Sequence, residues 1–298
     1  MSSFFITSQF SSWILAIRPR TLSLSVVPVV VGSSIAWSEC SKIDCFALPL
    51  ILIAAISIQI CSNLYNDAID YECGCDGSDR IGPLRVTATG LLSSSQVKHG
   101  AFFCMIIAML SGTSLVWIGG WPILLLGLIS LFATLFYTSG PLPISYTPFG
   151  EVCALIFFGI CAVAGTVWLH IGYLTNVSVL SGIAVGCFSS AVLLVNNYRD
   201  VASDIRVGRH TLSIIIGSRA SCWIYCALMT IPFILLPLLN NLLQNKHVLI
   251  VFLCAPFSLL MIRKFFHENV GPIFNKILSQ TAQIQLIYGI LLCFGLLL

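Results

Sequence analysis

The chain has 298 residues, of which 58% are hydrophobic and only 8% charged, with a formal net charge of +3. Soluble globular domains carry about 45–50% apolar and about 25% charged residues, so this composition excludes one and indicates an integral membrane protein. The small net charge gives no case for nucleic acid as a partner.

The first 17 residues are Ser-rich and hold neither Lys nor Arg. They lack the basic start of a cleavable secretion signal, so the mature chain is expected to begin at or near Met1. Apolar stretches then run near residues 21–38, 46–66, 99–118, 121–138, 150–173, 177–198, 219–239, 247–263 and 281–298. Each approaches the ~20 residues that cross a bilayer as a helix, so nine transmembrane helices are expected. Gly119-Gly120 before Trp121-Pro122, GPLPISYTP over 140–148 and NNLLQNKH over 240–247 read as turns between them. No linker or composition shift divides the chain, so residues 1–298 are expected to form a single domain. The 13 cysteines lie mostly inside apolar runs without a C-x-x-C pair and read as small apolar core residues. Cys73 and Cys75 alone make a weak site for a soft metal.

Nine crossings can be tested against charge. With the N-terminus cytoplasmic, 12 of the 14 Lys and Arg residues fall on the cytoplasmic side, and only Lys42 and Lys246 fall on the other. That satisfies the positive-inside rule. The same assignment places two acid-rich segments, 66–80 and 200–204, on the cytoplasmic face of the cell (inner) membrane. Seven of the 11 acidic residues lie there: Asp67, Asp70, Glu72, Asp76, Asp79, Asp200 and Asp204.

Each acid cluster begins at the end of a long apolar helix. Asn63/Asp67, Asn66/Asp70 and Asn196/Asp200/Asp204 repeat at four-residue intervals, so each set is expected to line one helical face. Carboxylates gathered in this way repel one another and need compensating positive charge. A hard divalent cation supplies it, and Asp and Asn oxygens without paired His or Cys favour Mg²⁺, which completes its shell with water and substrate phosphate. Arg80 and Arg85 follow the first cluster, and Arg199, Arg206 and Arg209 flank the second. Taken singly each arginine is either a positive-inside charge, a partner of the acids or a phosphate ligand, but guanidinium forks match phosphate oxygens, so as a set they read as a diphosphate clamp beside an apolar cavity. A ligand with a diphosphate head and a long apolar tail fits that description.

These residues carry a resemblance. Asn66-Asp67-x-x-Asp70 continuing to Asp76, and Asp200-x-x-x-Asp204-x-x-x-Gly208, resemble the two Asp-rich motifs of the membrane-bound aromatic prenyltransferases, the UbiA superfamily. Position 74, where many members carry the third acid, is Gly here, and Asp76 comes two residues later. With DRIGPLR (79–85), RPRTL (18–22), NNYRD (196–200) and TLSIIIG (211–217), this pattern resembles the subgroup that prenylates 1,4-dihydroxy-2-naphthoate in menaquinone biosynthesis. The resemblance runs from about residue 13 to 220.

The resemblance implies an all-α, UbiA-like bundle of about nine transmembrane helices with both acid motifs at one cytoplasmic mouth. It implies Mg²⁺ held by Asp67, Asp70, Asp200 and Asp204, with Asp76 next, and a polyprenyl diphosphate donor in the lipid bilayer. Asn63, Asn66, Asn196 and Asn197 are expected to support the bound substrates. Glu151, the sole acid in the middle of the chain, either orients the aromatic acceptor and assists proton removal or caps a helix dipole. Tyr137 and Tyr146 border the Pro-rich loop and either line the aromatic pocket or anchor at the interface. Arg20 and Lys98 either assist the phosphate or simply obey the inside rule. The five histidines show no ligand spacing. Other readings are prenylation of 4-hydroxybenzoate or an isomeric dihydroxynaphthoate, and, from another class, a cation-coupled transporter. A transporter would place its acids near the bilayer midplane on broken helices, whereas here they sit at helix ends.

Overall fold

A computed structural model describes residues 9–75, 81–83 and 85–298. Asp76, Asp79 and Arg80 lie outside the described residues. The described residues form a short 3-10 turn (Ile144–Tyr146) and eleven longer helical segments: α1 (Gln9–Ile17), α2 (Pro19–Cys40), α3 (Ala47–Glu72), α4 (Ser94–Gly119), α5 (Trp121–Phe136), α6 (Gly150–Ile171), α7 (Asn176–Arg199), α8 (Val201–Arg206), α9 (Leu212–Leu243), α10 (Lys246–His267) and α11 (Ile273–Leu297). Among the described residues, eight are long and apolar enough to span a membrane. At the fourth expected position α5 has 16 residues, about 24 Å of helix. It ends early because Ser139, Gly140 and Pro141 follow, with Gly140 at φ 101.

The ends of the helices follow local chemistry. Ser93 and Gln96 form a capping box at the start of α4, and Thr175 and Ser178 do the same for α7, each satisfying two backbone donors left without helical partners. Pro19 opens α2, where its missing N–H costs nothing. Helix α3 continues to Glu72, six residues beyond the apolar stretch, so Asn63, Asn66, Asp67 and Asp70 lie within its last turns. The second motif differs from the expected continuous face. Helix α7 stops at Arg199, Asp200 stands at the joint with φ −95 and ψ 8, and Asp204 belongs to the short α8. The four-residue spacing survives because the Asp200 N–H donates to the Asn196 carbonyl and the Asp204 N–H to the Asp200 carbonyl.

Helix α7 is the most buried span. Its Gly182 and Gly186 meet a π-helical turn of α6, Ile156–Cys161. A methyl group at Gly186 would lie 2.4 Å from the Leu155 carbonyl oxygen, and one at Gly159 equally close to Gly182 O. Only glycine permits this backbone approach, the small-residue packing used between membrane helices. On the other side, α9, α10 and α11 close the core with Tyr225 stacked on Phe265 at 4.2 Å. The Tyr288 hydroxyl donates to the Pro232 carbonyl at 3.1 Å, satisfying a polar group that lipid could not. All thirteen cysteines are free.

Candidate active site

Alternating helix direction brings the C-terminal ends of α3 and α7 to the same end of the bundle, and a cavity of about 950 Å³ opens beside them. Its wall is apolar at depth, with Ile51, Leu115, Leu126, Phe157 and Leu169, and polar near the motifs, with Asn63, Asn66, Asp70, Arg85, Asn196, Asn197, Arg199 and Arg209. Tyr137, Arg18 and Arg20 also line it.

Arginines organise the carboxylates. Arg85 Nη2 donates to Asp70 Oδ2 at 2.6 Å, and its Nη1 donates to the Asn66 carbonyl at 2.9 Å and lies 3.8 Å from Asp67 Oδ1. Arg209 joins the two motifs: Nη2 reaches Asp70 Oδ1 at 2.5 Å and Nη1 reaches Asp204 Oδ1 at 3.2 Å. Its guanidinium sits 5.1 Å from the centre of the Tyr146 ring, a cation–π arrangement. Burial works against the Arg209 charge, but Asp70 and Asp204 outweigh it and hold the group protonated above its ordinary value. Burial pushes the Asp204 acid up to about 6 against the pull of Arg209.

Arg199 is 2% exposed. It forks onto Asp200 through Nε at 2.8 Å and Nη2 at 2.6 Å, and its Nη groups also donate to Asn196 Oδ1 and Asn275 Oδ1. A fully buried guanidinium requires this degree of pairing. Asp67 is held differently, accepting from the Thr87 hydroxyl at 2.9 Å. Glu151, 2% exposed at the start of α6, accepts from Asn197 Nδ2 at 2.9 Å, while its Oε2 is buried with no hydrogen-bond partner among the described residues.

The expected residues therefore divide. Asp67, Asp70, Asp204, Arg85 and Arg209 form one linked group, and Asp200, Arg199 and Asn196 form a second, while Glu151 and Asn197 make a third contact in which Asn197 lines the cavity and Glu151 is not among its lining residues. Asn66 Oδ1 accepts from Thr138, and Asn63 Nδ2 donates to the Ile17 carbonyl at 2.9 Å, tying α3 to α1. Arg206 is exposed, with Nε on the Ala202 carbonyl, and is not among the cavity residues. Lys98 pairs with Glu72 at 2.6 Å on the surface, so neither faces the cavity. Sequence reasoning missed Thr87, Thr138 and Asn275. Asn275 carried a readable signal, a polar residue opening an apolar helix at the same end as both motifs.

The model of the UbiA prenyltransferase family matches residues 25–272. The chain belongs to that family. It is a multi-pass membrane enzyme, a prenyltransferase of the UbiA type. A protein of Escherichia coli (strain K12) called 1,4-dihydroxy-2-naphthoate octaprenyltransferase is 31% identical over 300 residues, 98% of this chain and 96% of its own. A Bacillus subtilis (strain 168) protein of the same name is 30% identical over 297 residues, 94% of this chain and 90% of its own. Among solved structures, a UbiA homolog from Aeropyrum pernix K1 superposes with a TM-score of 0.70 at 15% identity, over 92% of this chain and 97% of that one. A UbiA homolog from Archaeoglobus fulgidus bound to DMAPP and Mg²⁺ superposes with a TM-score of 0.67 at 12% identity, over 96% and 99%. At these identities the likeness is one of fold.

The donor set suits the metal in that homolog. Asp67, Asp70, Asp200 and Asp204 offer only oxygen, as Mg²⁺ prefers. Among the described residues no group of three His, Cys, Asp or Glu side chains is gathered closely enough to hold a metal ion by itself. These four carboxylates exceed the three guanidiniums between them, Arg85, Arg199 and Arg209, by a single charge. A diphosphate adds more negative charge, so the site is suited to take divalent cations together with phosphate oxygens.

Proposed function

We propose that this enzyme transfers a polyprenyl group from a polyprenyl diphosphate to 1,4-dihydroxy-2-naphthoate, releasing diphosphate and CO₂ and yielding a demethylmenaquinol. The observation that carries the reading is Arg209, whose two Nη groups bind Asp70 of one motif and Asp204 of the other at the mouth of an apolar cavity. A diphosphate head and an isoprenoid tail need that pairing of surfaces. The naphthoate is supported by the delayed third acid at Asp76 and by the two relatives named for it.

In this reading Asp67, Asp70, Asp200 and Asp204, with Asp76 the next candidate in the sequence, would hold Mg²⁺, which when bound neutralises charge on the departing diphosphate. Arg85 and Arg209 turn from carboxylates to phosphate oxygens, and Arg80 is the further guanidinium assigned to them in this reading. Positive charge aimed at the developing anion lowers the barrier to breaking the allylic C–O bond. Arg199 keeps Asp200 and Asn196 in position from its buried seat. A ring carbon of the acceptor donates its electron pair to the first prenyl carbon, and the ring carboxylate leaves as CO₂. Asn197 and Tyr137 face the acceptor, with Glu151, oriented by Asn197, taking the proton of a ring hydroxyl during attack and returning it to that oxygen once CO₂ has left. The 12 of 14 Lys and Arg residues that share one side under this topology support a mouth on the cytoplasmic side of the cell membrane.

The test is an acceptor panel. Detergent-purified protein is given Mg²⁺, a labelled polyprenyl diphosphate and either 1,4-dihydroxy-2-naphthoate, its 6-carboxylate isomer or 4-hydroxybenzoate. The proposal expects product and one CO₂ per transfer with the 1,4-dihydroxy-2-naphthoate. Product only with another acceptor would move the substrate while leaving the family's chemistry in place.

A further inference from the structure

We propose that Gln59 is a positioning residue for the aromatic acceptor, accepting a hydrogen bond from a ring hydroxyl; the inference rests on the aromatic-acceptor reading above. Gln59 lies on α3 seven residues before Asn66, about 10 Å deeper in the bundle, and lines the same cavity. It is 6% exposed. Gln59, Asn63, Asn66 and Asp70 follow one another at four, three and four residues, so they form a single polar stripe running down one face of α3 from the acid motif.

The chemistry of the ligand is set by a chain of donors. Asn63 Nδ2 donates to the Ile17 carbonyl at 2.9 Å, which fixes the Asn63 amide with its Oδ1 toward Gln59. Gln59 Nε2 donates to that oxygen at 3.2 Å. The Gln59 amide is thereby fixed as well, because flipping it would set two oxygens against each other. Its Oε1 is left buried with no hydrogen-bond partner among the described residues. A buried carbonyl oxygen without a donor is costly, and more so at membrane depth. The nearby wall is otherwise made for an apolar chain, with Leu24, Ile51, Ala55 and Ile58. An isoprenoid tail has no donor for Oε1, and neither an ionised ring carboxylate nor a diphosphate has one. A phenolic hydroxyl does.

The experiment pairs a substitution with a substrate change. Wild type and Gln59→Met are compared using the acceptor that the wild type turns over, 1,4-dihydroxy-2-naphthoate or 4-hydroxybenzoate, and its methoxy analogues, each with one hydroxyl methylated. Losing one such hydrogen bond corresponds to about a five- to tenfold effect. Wild type is expected to use one methoxy analogue about five- to tenfold less well than the parent acceptor. In Gln59→Met the acceptor KM should rise by a similar factor, the preference for hydroxyl over methoxy should collapse, and the KM for prenyl diphosphate should stay within twofold. A packing role alone would shift thermal stability or both KM values and leave the preference intact, and that result would overturn the proposal. Gln59→Glu, whose buried acid in its protonated form donates to Asn63 Oδ1 and keeps a carbonyl oxygen to accept from the ring hydroxyl, serves as the conservative variant and should retain the preference. Wild-type turnover with neither acceptor would remove the functional reading and this inference together. Turnover with an undiminished preference in Gln59→Met would remove only this inference.

Discussion

Replacing Arg209 perturbs the contact that unites the two acid motifs. The side chain makes two charge-assisted hydrogen bonds, to Asp70 and Asp204, each worth about 1.5–3 kcal/mol when one partner is removed. Lysine keeps the charge but lacks the fork, so it cannot engage two oxygens in fixed geometry. Arg209→Lys therefore forfeits about one such bond, and at about 1.4 kcal/mol per tenfold kcat/KM for prenyl diphosphate should fall about 10- to 100-fold. Arg209→Met removes both bonds. Breaking a buried pair costs about 3–5 kcal/mol, reduced here because Asp70 keeps Arg85 at 2.6 Å and Asp204, already raised to about 6, can take a proton. A stability loss of about 2–3 kcal/mol remains. Initial rates with labelled prenyl diphosphate give the first quantity and thermal unfolding in detergent the second. Retention of kcat/KM within threefold in Arg209→Met would refute the assignment of Arg209 to the diphosphate.

Three further outcomes are expected. Gly186→Ala places a methyl group 2.4 Å from the Leu155 carbonyl oxygen and should lower stability by about 1–3 kcal/mol through overpacking; an unchanged unfolding midpoint would show that the α6–α7 contact is looser than described. The Asp204 acid is raised by burial to about 6, above an unfolded value near 4. The folded chain then binds the proton more tightly, so this group's contribution to stability falls as pH rises from about 4 to about 6. Asp204→Asn should flatten that decline in denaturation profiles taken across this range, and an identical pH slope in the variant would contradict the shift. Cys73 is exposed just beyond α3, at the end of the bundle carrying the motifs, whereas Cys40 and Cys45 are exposed at the other end. A membrane-impermeant maleimide should label Cys73 from the cytoplasmic side only, judged by the signal lost in Cys73→Ser, and labelling from outside would reverse the proposed orientation.

The helices were legible in the sequence because uninterrupted apolar length is almost all that a membrane span requires, and the acid motifs because charge is so scarce around them. What escaped the reading depends on packing. The stop at Arg199 was hidden because Asp200 keeps the four-residue spacing while leaving the helix. Thr87 and Thr138 became visible only once the turn after Arg85 and the end of α5 were folded against α3, since a lone threonine carries no spacing signal. Arg206 and Arg209 are equivalent as text, three residues apart, yet one is exposed and the other joins both motifs. Gln59 sits inside an apolar run and reads as a tolerated polar residue until the Asn63 amide beside it is oriented.

The central claim is that the two acid motifs form one metal-dependent site for prenyl transfer. Its most direct test measures prenylated product from labelled polyprenyl diphosphate and 1,4-dihydroxy-2-naphthoate in wild type, Asp67→Ala and Asp200→Ala, with EDTA and after Mg²⁺ is restored. The account predicts product in wild type that disappears with EDTA, returns with Mg²⁺, and is lost in both folded variants. Full activity in either variant, or transfer that persists in EDTA, would contradict it.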